Sequence, residues 1–307
     1  WEGSKSLLYF CCLHLRFGEI KQHMSPLNII IGTSLKALSI IPYKYLFFLG
    51  KVMSSLFYIF PNKHKKITEA NLSLVFPNFE TYDIKELIKE SLFQSSMNIL
   101  ESGIAWSEPD SVVENNLLDV RNFKSIENSI QKGNGVVLFT PHLGNIEILI
   151  NFLGRNTKCI IPFTKPKNKY LDFAIRKYRN SLGVKMVDIS TQGIREILRS
   201  LREGNVVAIA SDQVPKKDHG IFSRFFDKEI YSMTLLPKLQ QKTNCAAHLM
   251  YCERKEKGEG FCVHFEDSVV LSDGIQEGVD KMNLEFEKCI MKFPSQYSWE
   301  YKKFKRT

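Results

Sequence analysis

Between Val136 and Ile209 short apolar runs alternate with helical stretches, and this pattern limits the fold more than any other feature of the chain. The runs are Val136–Phe139, Cys159–Pro162, Val184–Val187 and Val206–Ile209. Helical patterns over Gly144–Leu153, Tyr170–Leu182 and Thr191–Arg202 follow the first three, and a long loop follows the fourth. Strands alternating with helices imply βαβ units and a mainly parallel sheet. Gly133, Gly135, Gly183 and Gly204 fall just before strands, where helix-ending glycines belong. The expected class is therefore α/β, a mainly parallel central sheet flanked by helices. Helices are also expected over Ile67–Phe76, stopped by Pro77, and over Tyr82–Trp106, Val120–Lys132, Thr234–Thr243 and Asp280–Lys292. Cys245–Cys252 and Phe261–Phe265 read as a late strand pair, with an antiparallel arrangement open.

The most apolar region is Leu27–Phe60. A spanning helix needs about 20 uninterrupted apolar residues, and here Lys36, Lys44, Lys51 and Pro42 interrupt. Lys63, His64, Lys65 and Lys66 follow at once, which suits an anionic cytoplasmic leaflet. We expect residues 24–66 to form membrane-associating helices, either spanning or lying in the interface. A soluble helix hairpin with a solvated charged end is the alternative. Trp1 is not an initiator residue and Met24 is, so residues 1–23 read as an upstream extension. Residues 67–307 then form one domain, expected on the cytoplasmic side of the membrane.

The net charge of +9 points to nucleic acid, an anionic membrane or acidic partners. No nucleic-acid-binding motif accompanies it, so nucleic acid is the weakest of the three. Seven cysteines occur without a CxxC, and no His stands at zinc-ligand spacing, which suits reduced thiols in a cytosol-facing protein.

One His–carboxylate pair sits where a parallel strand ends and a helix begins: His142 and Glu147, in VVLFTPHLGNIEILI. In open α/β sheets ligands bind outside the carboxyl ends of strands. On one continuous helix these two side chains would point about 140° apart. With His142 on the loop and Glu147 one turn inside the helix they can meet, and Pro141 and Gly144 support that break. A His held by a carboxylate is a general base with a fixed tautomer, able to deprotonate a hydroxyl attacking an acyl carbonyl. Backbone N–H groups near Gly144 and Asn145 could take up the oxyanion. The spacing equally suits a His capping a helix beside a surface Glu.

PHLGNIE (Pro141–Glu147) resembles the HxxxxD/E motif of glycerolipid-type acyltransferases. In its HxGNxE form it is similar to the late acyltransferases of lipid A biosynthesis. Four further segments resemble that family in order: ANLSLVFPN (Ala70–Asn78), KPKNKYLDFAIRKYRNSLG (Lys165–Gly183), LREGNVVAIASDQ (Leu201–Gln213) with GIFSRFF (Gly220–Phe226), and PSQYSWEYKKFK (Pro294–Lys305). Two departures stand at packing positions: Ile146 where the family has Trp, and Ser211 where it has Pro.

The resemblance implies transfer of a fatty acyl chain from acyl carrier protein to a hydroxyl of a Kdo-bearing lipid A precursor, without cofactor or metal. By position, His142 would be the base and Glu147 its orienting carboxylate. Arg179 would match a family arginine, and Asp212 and Gln213 the family's DQ element. Read by itself, Arg179 is an exposed helix arginine and Asp212 a loop carboxylate capping backbone amides. Phe222, Phe225 and Phe226 fit either an acyl groove or ordinary core. The implied partners are the carrier protein, a phosphorylated glycolipid and the membrane. Related readings keep the chemistry with a phospholipid or mannoside acceptor, or keep the fold as a catalytically inactive lipid-binding homologue.

Overall fold

The computed structural model describes residues 33–34, 36–107, 114–271 and 273–304. The expected extension over residues 1–23 lies outside the described residues, as does the start of the apolar region.

The described residues include nine strands and nine α-helices. Helices α1 (Tyr43–Ile59), α2 (Lys63–Val75) and α3 (Thr81–Ser107) lead into strand β1 (Leu117–Arg121) and helix α4 (Phe123–Gln131). The alternating region follows: β2 (Val136–Thr140), α5 (Ile146–Asn156), β3 (Cys159–Phe163), α6 (Lys169–Ser181), β4 (Lys185–Asp188), α7 (Thr191–Arg202) and β5 (Val206–Ala210). The chain closes with β6 (Gly220–Phe225), β7 (Lys228–Met233), α8 (Leu235–Thr243), β8 (Ala246–Arg254), β9 (Phe261–Ser268) and α9 (Ile275–Lys292).

Seven strands form one sheet in the order β1-β9-β8-β2-β5-β3-β4. β8, β2, β5, β3 and β4 run parallel, as the alternation predicts. β8 and β9 pair antiparallel, and β1 adds to β9 in parallel at the edge. β2 lies between β5 and β8 with every residue buried, as expected of a parallel strand covered on both faces. Its side chains alternate: Val137 and Phe139 enter the core with α7, α8 and α9, whereas Val136 and Leu138 enter the core with α1, α3, α5 and α6. Each such side chain contributes about 1.5–3 kcal/mol on burial.

Two expectations are corrected. Val120–Lys132 is not all helix. LLDVR forms edge strand β1, and Asn122, at φ 60°, turns the chain into α4. Asp119 and Arg121 lie on an exposed edge, so no apolar alternation announces this strand. The loop expected after β5 contains the β6–β7 hairpin. Its two-residue turn is Phe226-Asp227, both left-handed at φ 48° and 55°, the twist that short hairpins require. Neither residue is the Gly or Asn that usually marks such a turn. Phe226 is held there by its N–H, which donates to Glu287 Oε1 at 2.7 Å.

At the amino end, no helix among the described residues is long and apolar enough to cross a membrane. α1 instead has two faces. Tyr43, Leu46 and Gly50 are buried, the first two in the core with α3. Tyr45, Phe48, Val52, Leu56 and Ile59 recur every three or four residues and are exposed, which puts them along one side of the helix.

Candidate active site

β2 and β5 are in register, Thr140 opposite Ala210, and Ser211 N–H donates to Thr140 O at 3.2 Å. Two residues beyond that last pair stand His142 and Asp212. Register therefore sets them face to face at the carboxyl ends of two adjacent central strands. Asp212 Oδ1 lies 2.7 Å from His142 Nδ1, and Oδ2 accepts from the His142 backbone N–H at 3.0 Å. The carboxylate is buried, while 30% of the His142 side chain stays exposed. Buried Asp212 accepts from Nδ1–H, which fixes the tautomer and leaves Nε2 with its lone pair outward. The exposed Gln213 side chain stands 3.3 Å from that nitrogen.

Burial disfavours charge on both groups, and their attraction outweighs it. For His142 burial acts downward, but the charge and hydrogen bond of Asp212 leave the ring above its ordinary pKa. For Asp212 burial acts upward, but His142 and then Lys303 hold the carboxyl well below the usual range.

The carboxy-terminal PSQYSWEYKKFK segment completes the setting. The buried Lys303 ammonium donates to the Asp212 carbonyl. Burial brings that ammonium down to about 8, with Asp212 acting in the opposite sense. Burial, and then the Asp212 charge, keep the Tyr297 hydroxyl protonated. Ser298 N–H donates to His142 O at 2.9 Å. Lys303, Tyr297 and Ser298 were not assigned roles from sequence, although their segment was singled out.

The pairing expected from spacing, His142 with Glu147, is not the one formed. Glu147, buried in the first turn of α5, takes a two-point ion pair from Arg179 of α6: Nη2 at 2.7 Å and Nε at 3.3 Å. Arg179 is correspondingly sheltered, its side chain 12% exposed and its guanidinium over the Phe163 ring. The pair braces α5 against α6.

Of the two residues expected to bind an oxyanion, Gly144 has its N–H engaged internally and Asn145 its side chain. Gly144 N–H donates to Gln296 O at 2.9 Å, and buried Asn145 caps α5 by accepting from Glu147 N–H at 2.8 Å. The Asn145 amide donates to Glu101 Oε2 at 2.8 Å. Glu101 is the hub of a buried network, bonded also to the Tyr43 hydroxyl at 2.6 Å and to Arg254 Nε at 2.8 Å. Gln296 exchanges hydrogen bonds with the Arg254 backbone, at 2.7 and 2.8 Å. The His142 loop is thus clamped from both sides. Gly144 is required within it, at φ +63° and with Cys252 O 1.7 Å from where a Cβ would stand. Left-handed strain and the clash together predict that Gly144→Ala costs about 2–4 kcal/mol, measurable as a lower denaturation midpoint.

Of the three phenylalanines, Phe225 is fully buried core and corrects the groove reading. Phe226 packs against that core near Trp299. Phe222 is half exposed and touches Tyr231. One group among the described residues brings metal-type donors together: Glu253, Cys262 and His264. Its members are matched without an ion, with Glu253 taking Lys255 at 2.6 Å and His264 at 2.8 Å.

The geometry provides an oriented imidazole whose Nε2 faces the exposed Gln213 side chain. Cys159, Cys245, Cys252, Cys262 and Cys289 are all buried, and burial pushes the thiols of Cys159 and Cys252 up to about 12. The family model for bacterial lipid A biosynthesis acyltransferases matches residues 23–306. The chain is 25% identical over 267 residues to the lipid A biosynthesis palmitoleoyltransferase of Escherichia coli (strain K12), covering 86% of each. To the lauroyltransferase of the same organism it is 24% identical over 269 residues, covering 86% of this chain and 87% of the relative. A lipid A biosynthesis acyltransferase of Haemophilus influenzae (strain ATCC 51907 / DSM 11121 / KW20 / Rd) is 24% identical over 247 residues, 78% of this chain and 76% of that protein.

Proposed function

The chain belongs to the bacterial lipid A biosynthesis acyltransferase family and is an acyltransferase, and from that premise we propose that it moves a fatty acyl chain from an acyl carrier protein thioester to a hydroxyl of a Kdo-bearing lipid A precursor. The observation that carries the reading is the His142–Asp212 pair, whose Nε2 faces the exposed Gln213 side chain. His142 takes the hydroxyl proton as the acceptor oxygen attacks the thioester carbonyl. The carbonyl re-forms, the carrier thiolate leaves, and the imidazolium returns the proton to it. The acyl chain passes directly between substrates, because the described cysteines are buried and poorly ionised. Gln213, beside Nε2, presents an amide where a developing oxyanion could be met. Its exposed position suits this role better than the engaged Gly144 and Asn145.

Membrane contact in this proposal is interfacial, with the catalytic domain on the cytoplasmic side of the inner membrane. The exposed stripe of α1 lies in the bilayer boundary, and Lys44 and Lys51 beside it meet anionic headgroups. Replacing Phe48 and Leu56 together by Asp is expected to weaken binding to anionic vesicles at least about tenfold while the buried face keeps the fold. Vesicle co-sedimentation checks this, and unchanged binding would remove α1 from the contact.

The acceptor is tested in cells. Lipid A from a strain lacking the gene should lose one secondary acyl chain, and the wild-type chain should restore it. Unchanged lipid A acylation would instead direct attention to a phospholipid or mannoside acceptor.

A further inference from the structure

Where α1 ends, a cavity of about 480 Å³ opens, lined by Pro61, Asn62, Lys63, Lys66, Ile67 and Lys302. Three of these six residues carry ammonium groups and none carries a carboxylate. Among the described residues no ion pair joins Lys63, Lys66 or Lys302 to an acidic side chain, whereas Lys65 beside them is matched to Glu69. The charge is also placed against local preference. Lys63, Lys65 and Lys66 occupy the first turn of α2, which holds no acidic residue, and the positive end of a helix disfavours cations. Local conflicts of this kind mark functional sites rather than scaffold.

The position supplies the ligand class. The exposed stripe of α1 ends at Ile59 and Phe60, immediately before the cavity. On the other side, Lys302 precedes Lys303, which holds the Asp212 carbonyl. Asn71 of α2 ties the two walls together through the carbonyls of Trp299 and Tyr301, at 2.7 and 2.8 Å. A lipid whose chains lie against α1 would bring its headgroup to the lysines and its sugar toward His142. We propose that Lys63, Lys66 and Lys302 form the subsite for a phosphate monoester on the glycolipid acceptor, and so select a phosphorylated acceptor. Lysines suit phosphate as point charges that follow the headgroup. This rests on the acceptor reading above.

The test is the triple variant Lys63→Gln, Lys66→Gln, Lys302→Gln. Two of the changes relieve repulsion at the start of α2, so the thermal midpoint should hold or rise. Transfer is measured onto the phosphorylated precursor and onto the same lipid stripped of phosphate. Wild type should favour the former by about tenfold in KM, and the variant should lose that preference while kcat stays within about twofold. A preference retained by the variant overturns the proposal, and so does a rise confined to the KM of the acyl carrier thioester.

A second arm needs no catalysis. Neutral phosphatidylcholine vesicles are doped with the phosphorylated glycolipid or, at equal charge, with phosphatidylglycerol. The variant should bind the first about tenfold more weakly and the second within about twofold of wild type. Equal losses on both would make the cavity a general headgroup site and overturn acceptor selection. Should wild type acylate neither acceptor, the acyl-transfer reading fails, while the vesicle arm still decides the phosphate site.

Discussion

Replacing His142 by Ala is expected to lower acyl transfer about 10²–10⁴-fold, the range for loss of a general base, and to lower the denaturation midpoint, because the buried Asp212 carboxylate loses its main counter-charge. His142 contributes no core packing, since its ring stands at a strand end with 30% exposed. Asp212→Asn separates orientation from charge. The amide can still contact Nδ1, but it removes the charge that keeps the ring above its ordinary pKa against burial. The base works only when neutral, so kcat/KM in wild type should fall as pH drops through a pKa above the usual imidazole value. In Asp212→Asn that acidic limb should move to lower pH, because burial then acts unopposed by Asp212. The plateau should also drop, because the Asn amide can leave the ring in the wrong tautomer. A limb that stays in place would mean that His142 is not the titrating base. Glu147→Gln, by contrast, should leave the limb where it is, because Glu147 engages Arg179.

The second large effect is on stability. Glu101→Ala leaves the Arg254 guanidinium buried without its counter-charge, and the Tyr43 hydroxyl and Asn145 amide without their acceptor. Removing one partner of a buried pair costs about 3–5 kcal/mol. Denaturant unfolding should therefore find Glu101→Ala among the least stable variants of this chain. Glu101→Leu with Arg254→Met removes both charges and should recover part of that loss. Activity should not return with stability, because Asn145 still lacks the acceptor that holds the His142 loop. If the double variant is no more stable than Glu101→Ala, the ion pair itself stabilises the fold.

The sequence carried β2, β3 and β5, because a parallel strand covered on both faces reads as a continuous apolar run, and with them the edge strand β4. It carried His142 by its place at a strand end. It did not carry the carboxylate that serves His142. Glu147 lay within the same motif, whereas Asp212 lies 70 residues away and meets His142 only because β2 and β5 are neighbours in register. The offsets were present, since both residues stand three positions beyond the Phe139–Ile209 pair. Strand adjacency is a tertiary fact that one sequence does not print. The β6–β7 hairpin was hidden for another reason: Phe226, at the first position of its turn, is a residue that seldom adopts left-handed backbone. Buried charge was the third gap. Glu101 and Arg254 look like surface residues in sequence, and only packing of α1, α3 and β8 together turns them into a core pair.

The most direct measurement is product mass in a purified system of this chain, an acyl carrier protein thioester and a Kdo-bearing lipid A precursor. The precursor should gain the mass of one acyl chain with wild type and none above background with His142→Ala. An acceptor equally unchanged with both proteins, or equally acylated by both, would contradict acyl transfer through His142.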